Sequence, residues 1–265
     1  MEKIVIANAK GGVAKTTTVV NLSSILSEKG LRVLAIDLDS QSHLTLGLGV
    51  DIAADIPWVG DVFEGKRSVE EAVIGITKCP NLHILASKNQ LGQLEHVLEK
   101  KEHRKYQLLK DRLKNLSGYD VVLIDTGPAA FSLLTLNGLI AADYVLMTSE
   151  PSHYSVVGCG NITMAITYVR KESLNRDLTP LGILITRYEK NTESAKQIEI
   201  LRSVPGFQVF KNMIRKNVAL TKSSSAGKPI NLFDKKSNGY KNYRDFSEEL
   251  LQYLGSNIYT SEKIA

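Results

Sequence analysis

Residues 10–17 combine the glycines, lysine and hydroxyl that a phosphate-binding loop requires. They follow an apolar run and precede a helix-like segment. Glycines let successive backbone N–H groups curl around phosphate oxygens, and the helix N-terminus adds a favourable dipole. A lysine then neutralises β- and γ-phosphate charge. The eight residues are Lys10, Gly11, Gly12, Val13, Ala14, Lys15, Thr16 and Thr17.

Two threonines end this stretch, and they have different expected roles. The Thr16 hydroxyl is placed to bind Mg²⁺, which keeps most of its waters and takes few protein ligands. We expect Thr17 to cap the following helix and to reach the α-phosphate. Lys15 is the lysine of the nucleotide site, which leaves Lys10 as a second lysine without an obvious role.

Three aspartates stand at the ends of strand-like runs. Asp37 ends 32-RVLAID-37 and Asp39 follows it, while Asp125 ends 121-VVLID-125. Carboxylates at strand ends also serve as N-caps or turn formers. Three of them beside a phosphate loop favour roles in binding a metal ion and in orienting a water molecule. We expect Asp125 to hold magnesium through a water and Asp39 to orient the attacking water, the positioning that phosphoryl transfer requires.

The order of elements predicts an α/β protein with a doubly wound, mostly parallel sheet and helices on both faces. Apolar, strand-like runs alternate with helical patterns, and ligands of such sheets bind at the carboxyl ends of the strands. The expected strands are 4–7, 32–37, 81–86, 119–125, 143–149 and 180–186. The expected helices are 16–29, 90–116, 131–141, 154–172 and 194–202.

Residues 239–255 predict a closing helix. Apolar side chains recur there every three to four residues, which favours packing on the core over a membrane anchor. The segment 256–265 follows it. Because no linker divides the chain, we expect one domain over residues 1–265.

Composition is that of a globular protein, with 43% apolar and 23% charged residues. We expect a cytoplasmic protein, because no apolar run approaches the ~20 residues of a membrane span and the N-terminus runs straight into a strand. The two cysteines, Cys79 and Cys159, have no metal-ligand spacing and are expected to be buried thiols.

Positive charge is concentrated in one region. Residues 187–228 hold nine Lys/Arg and three Asp/Glu, and no carboxylate occurs from 200 to 233. A charge run is often only a solvated face, yet a basic stripe without acids is also the expected footprint of a polyanion-binding surface.

Taken together, these motifs resemble the ParA/MinD class of P-loop ATPases, whose deviant Walker A motif is K-G-G-x-x-K-[ST]. The chain is most similar to the ParA branch, which partitions plasmids and chromosomes. Four further segments, 37–41, 120–129, 151–158 and 213–230, resemble motifs of that branch in the same order. The resemblance implies ATP and Mg²⁺ as cofactors and identifies Lys10 as the signature lysine. We also expect ATP contacts from Thr186, Arg187 and Asn217.

The chain departs from the branch at several positions. Ala14 replaces a glycine, which is a small burden if its φ is negative. Two basic positions associated with DNA binding are absent, while other basic residues offer substitutes. The candidate DNA contacts are Lys190, Lys196, Lys211, Arg215, Lys216 and Lys222.

The resemblance implies an ATP-sandwich homodimer, which gives Lys10 a physical role. A second cation supplied across the interface would act in trans on the transition-state charge. ATP-dependent pairing of two basic stripes would make nonspecific DNA binding dependent on dimerisation and salt. The implied protein is a nucleoid-associated ATPase, slow by itself and stimulated by a ParB-like partner.

Three alternatives remain open on sequence. A MinD-like, membrane-associated positioning ATPase would use the same loop, but it needs a terminal basic amphipathic helix that this tail lacks, so we expect no stable membrane association. A metal-cluster carrier would need a cysteine pair near the switches. A regulator could use the ATP state to bind proteins and leave the basic stripe idle.

Overall fold

One sheet of seven strands forms the centre of the protein in the computed structural model, which describes residues 1–100 and 104–255. Its order within that part of the chain is β3-β4-β2-β5-β1-β6-β7. All neighbouring strands are parallel except β3 and β4, which are antiparallel. The strands are β1 Glu2–Ala7, β2 Val33–Leu38, β3 Val73–Ile76, β4 Cys79–Leu85, β5 Val121–Thr126, β6 Tyr144–Ser149 and β7 Thr179–Ile185.

Helices cover both faces of this sheet. They are α1 Lys15–Glu28, α2 His43–Gly47, α3 Val59–Glu64, α4 Val69–Ala72, α5 Leu91–Glu99, α6 Leu108–Leu113, α7 Leu133–Ala141, α8 His153–Lys171, α9 Thr192–Arg202, α10 Val218–Ser225, α11 Ile230–Phe233 and α12 Asn238–Leu254. The predicted fold class, α/β with a mostly parallel doubly wound sheet, is therefore confirmed.

The alternation of side chains along β1 divides the core into two layers. Ile4 and Ile6 belong to the cluster that contains residues of α1 and α12. Val5 and Ala7 point to the opposite face and join the cluster of α7 and α8. Successive strand residues face opposite sides of a sheet, so a strand covered on both sides is apolar at every position.

The closing helix packs on the core as predicted. Tyr243, Phe246 and Leu250 of α12 are fully buried, and the Tyr243 hydroxyl lies 3.1 Å from Thr18 Oγ1 in α1. This contact ties the closing helix to the helix that follows the phosphate loop. The tail over residues 256–265, in which we expect no terminal amphipathic helix, lies outside the described residues.

One prediction about the elements was wrong, and one strand had no prediction. The single helix expected over 90–116 is divided: α5 ends at Glu99, and a 3-10 turn at Lys105–Gln107 precedes α6. The short antiparallel edge strand β3 was missed. Its sequence, VIGI, is too short for its alternation to stand out, and only pairing with β4 makes it a strand.

Residues 208–216 extend the sheet beyond β7. The backbone N–H of Phe210 donates to the Ile183 carbonyl at 3.0 Å, and that of Ile214 donates to the Ile185 carbonyl at 2.9 Å. These bonds cover the β7 edge and place the following residues, 214–218, at the carboxyl end of the sheet. The loop after β1 opens at the same end.

Candidate nucleotide site

The phosphate loop joins the end of β1 to the start of α1. The N-terminal residue of α1 is Lys15, so the unpaired N–H groups of its first turn face the loop. Gly12 has φ of 79°, and a Cβ added at Gly11 or Gly12 would meet no atom within 4 Å. The loop therefore has an open inner side that a phosphate chain can enter.

The backbone at Ala14 does not meet the condition, a negative φ, under which its methyl group would be a small burden. Its φ is 62° and its ψ is 29°, so it lies in the left-handed region. That region favours glycine, because the Cβ of other residues approaches the following carbonyl oxygen. Ala14 therefore has a backbone conformation that glycine adopts more readily than alanine, and it carries strain.

The role predicted for Thr17 as a helix cap is also wrong. The N-cap of α1 is Ala14, and no side chain caps this helix. Thr17 lies within the first turn and lines the cleft beside the loop. Its predicted contact with the α-phosphate stays a prediction.

Lys15 points into the site from a nearly buried position. Its side chain is 7% exposed, and Nζ donates to the Lys10 carbonyl at 3.1 Å. Burial lowers the pKa of Lys15, while Asp125 and Asp39 oppose this shift. The ammonium thus lies in a poorly solvated place where phosphate charge would strengthen its protonated form.

Thr16 and Asp125 form the pair that fits a magnesium ion. Thr16 Oγ1 donates to Asp125 Oδ2 at 2.6 Å, and Asp125 Oδ1 is buried without a hydrogen-bond partner among the described residues. The pKa of Asp125 is raised well above its usual range, mainly by burial and secondly by the negative charge of nearby Asp37. A divalent cation or its bound water would satisfy the free oxygen and favour the carboxylate.

The aspartates at the carboxyl end of β2, Asp37 within the strand and Asp39 just after it, have different surroundings. Asp37 is fully buried, and Oδ2 accepts hydrogen bonds from the Thr45 N–H at 2.9 Å and the Thr45 hydroxyl at 2.7 Å. Its Oδ1 accepts from the Asp39 N–H. Asp37 therefore organises the loop into α2, whereas Asp39 is half-buried and lines the cleft.

The cleft beside the loop has a volume of about 740 Å³, within the range of small-molecule sites. One end is formed by the phosphate loop and Asp39. The other is formed by residues that follow β7 and begin α10. Lining residues at that end include Thr186, Arg187, Arg215, Lys216, Asn217 and Val218.

The residues predicted to contact ATP at this second end do line the cleft. Some of their polar atoms already form hydrogen bonds within the protein. Thr186 Oγ1 donates to the Val13 carbonyl at 3.0 Å and so supports the loop. Asn217 Oδ1 caps α10 by accepting from the Ala219 N–H at 2.8 Å. Arg187 Nη1 lies 3.4 Å from the Gly12 carbonyl.

Lys10 lies outside the cleft lining and turns towards the start of α8. Its ammonium pairs with Glu150 and lies 3.2 Å from Ser152 Oγ and 3.4 Å from Ser155 Oγ. Arg187 Nε lies 3.9 Å from the other oxygen of Glu150. Sequence reasoning missed Glu150, whose signal was its place at the end of β6 beside a recognised motif.

The candidate DNA contacts are all exposed but do not form one group. Arg215 and Lys216 line the nucleotide cleft, and Lys216 pairs with Glu189 at 2.9 Å. Lys222 lies on α10, and five other residues of that helix line the cleft: Val218, Leu220, Thr221, Ser224 and Ser225. The remaining three lie on the α9 side of β7 or beside an acidic part of α12.

Those three differ in their surroundings. Lys190 precedes α9, and Lys196 lies within it. Lys211 borders a second cavity of about 340 Å³, which Asp245, Glu248 and Glu249 also line. Lys211 is therefore the weakest candidate for contact with a polyanion.

Comparison with known proteins decides the family. A family model described as an AAA domain matches residues 1–180. The chromosome partitioning protein ParA of Myxococcus xanthus is 35% identical over 251 residues, which is 94% of this chain and 87% of that protein. This chain belongs to the ParA/Soj family of P-loop ATPases. The suspected resemblance is thereby confirmed.

Two solved structures of this fold contain nucleotide and magnesium. Cobyrinic acid a,c-diamide synthase of Mycobacterium smegmatis, with a bound ATP analogue and magnesium, aligns with a TM-score of 0.82 and 32% identity, covering 97% of this chain and 96% of its own. MinD of Pyrococcus horikoshii, with Mg-ADP, aligns with 0.75 and 27%, covering 96% and 97%. As a ParA-family chain, the protein has the site of an ATPase.

One observation bears on the metal-cluster alternative. Cys79 and Cys159 are free and buried, rather than exposed near the cleft as a cluster carrier would need. Over residues 1–100 and 104–255, no helix has the length and apolar character needed to cross a membrane.

Proposed function

We propose that this chain is a partitioning ATPase that dimerises around ATP, binds DNA nonspecifically and uses ATP hydrolysis to release it. The observation that carries the proposal is the position of Lys10. Its side chain lies outside its own cleft, at the rim, where Glu150 and Ser152 hold it. A cation in that place contributes little to its own nucleotide but can reach a second subunit.

The residues of one cleft account for binding and for part of the chemistry. Lys15 and the loop N–H groups hold the phosphates, and Thr16 with Asp125 would hold magnesium. When bound, the ion would neutralise charge on the β- and γ-phosphates. Asp39 orients the water that attacks the γ-phosphorus as the bond to ADP breaks.

The remaining charge on the transferring phosphoryl group requires a further cation. We assign it to Lys10 of the second subunit, which is the in-trans role that the resemblance implies. Release of Lys10 from Glu150 would then accompany dimerisation. Because ligand and partner binding are linked, ATP strengthens the dimer and the dimer strengthens ATP binding.

The DNA surface follows from the same dimer. We assign it to Lys190, Lys196, Arg215, Lys216 and Lys222 of both subunits, since these lie at or near the carboxyl end of the sheet. Doubling the number of phosphate contacts steepens the salt dependence of DNA binding. We further propose a ParB-like protein as the partner that stimulates hydrolysis, with the protein acting in the cytoplasm on nucleoid DNA.

Gel shifts on random-sequence DNA with ATP, ADP or no nucleotide test this function. We expect binding with ATP that weakens strongly as salt rises, and little binding with ADP. Failure to bind DNA with ATP at low salt would contradict the proposal and favour a regulator that binds only proteins.

A MinD-like positioning ATPase is the second candidate, because the chain also aligns with MinD of Pyrococcus horikoshii. Flotation with liposomes of anionic and neutral lipid, in the presence of ATP, separates the two functions. We expect the protein to shift DNA in the gel assay with ATP and not to float with the liposomes. Flotation with lipid and no DNA shift would favour the second candidate.

A further inference from the structure

We propose that Asn8 is the residue that positions Lys10, and that Gly158 provides the close contact through which Asn8 joins the loop to α8. The inference deepens the proposed function and rests on it, because it concerns how Lys10 is presented to a second subunit. Asn8 is not among the residues that bind nucleotide.

Asn8 is fully buried and bonded on both sides of its amide. Oδ1 accepts a hydrogen bond from the Lys10 backbone N–H at 2.8 Å. Nδ2 donates to the Thr148 carbonyl at 2.8 Å and lies 3.4 Å from Cys159 Sγ. One side chain therefore connects the main chain of Lys10 to the end of β6 and to α8.

Gly158 allows α8 to rest directly on this amide. A Cβ at Gly158 would lie 2.1 Å from Asn8 Oδ1 and 3.2 Å from the Lys10 nitrogen. Atoms cannot approach that closely, so even a methyl group would push α8 away or displace Asn8. The glycine serves close packing here, because its φ does not lie in the left-handed region.

Lys10 is consequently held at two points, its ammonium and its backbone N–H, and only the contacts of the ammonium need to change in a dimer. Its ammonium is bound by Glu150, Ser152 and Ser155, contacts that must be released if it reaches another subunit's nucleotide. Its backbone N–H is bound by Asn8, deep in the protein, and this bond can stay. The switch of Lys10 is then a swing of the side chain about a fixed main chain, which keeps the ordering cost of the dimer low.

Hydrogen exchange at the Lys10 amide tests the anchoring independently of dimerisation. In ¹⁵N-labelled protein without nucleotide, Asn8→Ala should speed exchange at Lys10 by about tenfold or more, as expected for loss of one hydrogen bond. Unchanged exchange at Lys10 would contradict the proposal. This measurement decides the matter even if the protein does not form an ATP dimer.

Steady-state ATP hydrolysis then tests positioning. Asn8→Ala should lower kcat by about 10- to 100-fold, as for a displaced catalytic group, with little change in KM for ATP. Combining Asn8→Ala with Lys10→Ala should give no loss beyond that of Lys10→Ala alone. Additive losses, or a rise in KM that accounts for the effect, would show a merely structural role.

Substitutions at Gly158 provide the complementary test. Gly158→Ala should lower stability and turnover, and adding Asn8→Ala should recover stability, because the smaller side chain makes room for the methyl group, but not turnover. Recovery of turnover in the double variant would overturn the proposal. Thr148→Val is the matched control: it keeps the backbone acceptor and removes a buried hydroxyl without a hydrogen-bond partner among the described residues, so turnover should be unchanged.

Discussion

Replacing Ala14 by glycine should stabilise the protein, although glycine usually destabilises. Ala14 has φ of 62°. A non-glycine residue in the left-handed region costs about 1–2 kcal/mol. Glycine also increases the conformational entropy of the unfolded chain, which lowers the free energy of unfolding by about 0.4–1 kcal/mol. The net expectation for Ala14→Gly is a gain of about 0.5–1 kcal/mol in the free energy of unfolding.

Urea denaturation without nucleotide measures this gain, and the neighbouring glycines supply matched controls. Gly12→Ala creates the same strain at φ of 79°, where the new Cβ meets no atom within 4 Å, so it should destabilise. Gly11→Ala also meets no atom, and its φ is outside the left-handed region, so it should be neutral or slightly stabilising.

The refuting result is an Ala14→Gly variant less stable than the natural protein. It would show that the loop is relaxed with alanine, and that the strain argument is wrong. The affinity for ATP should change little in this variant, because the backbone conformation that presents the N–H groups is the one glycine adopts readily.

Three further predictions concern the carboxylates of the site. Asp39→Ala should retain ATP binding, lose hydrolysis and remain on DNA as an ATP-bound dimer; rapid release from DNA with ATP would contradict its role in orienting water. Glu150→Gln should weaken the hold on Lys10 and so strengthen ATP-dependent dimerisation, measured by sedimentation; weaker dimerisation would mean that Glu150 serves the interface directly. Burial raises the pKa of Asp37 to about 6, so the folded protein keeps a proton there that the unfolded chain loses. The free energy of unfolding should therefore fall as pH rises from about 4 to 6, by about 3 kcal/mol at most from this group. In Asp37→Asn that fall should be smaller in urea titrations, and an identical pH slope would contradict the assignment.

The nucleotide site was predictable because its chemistry is local in sequence. Lys15 and Thr16 lie together in one loop, and Asp125 ends an apolar strand that must meet them at the same edge of the sheet. The sheet was predictable for a related reason, since strands covered on both faces are continuous apolar runs.

The features that sequence reasoning missed depend on contacts between distant segments. Glu150 and Asn8 gain their roles only when β6 and β1 lie side by side, because Lys10 and Glu150 are 140 positions apart in the sequence. The sign of φ at Ala14 stayed open in the sequence, because alanine carries no signal for a left-handed conformation. The short strand β3 has no recognisable period, and the division of 90–116 depends on how α5 and α6 pack against α7.

Mixing two inactive variants tests the central claim, that Lys10 of one subunit serves the nucleotide of the other. Lys10→Ala lacks the in-trans cation, and Asp39→Ala lacks the residue that orients water in its own cleft. In a mixed dimer, the cleft of the Lys10→Ala subunit keeps its own Asp39 and receives Lys10 from the Asp39→Ala subunit, so one site is complete.

The rate of ATP hydrolysis in an equimolar mixture is the measurement, with energy transfer between labelled subunits confirming that mixed dimers form. Random pairing makes half of the dimers mixed, each with one complete site of two. If Lys10 acts in trans, we expect recovery to about a quarter of the rate of the natural protein. Mixed dimers that form without any recovery of hydrolysis would contradict it, because each cleft would then need its own Lys10.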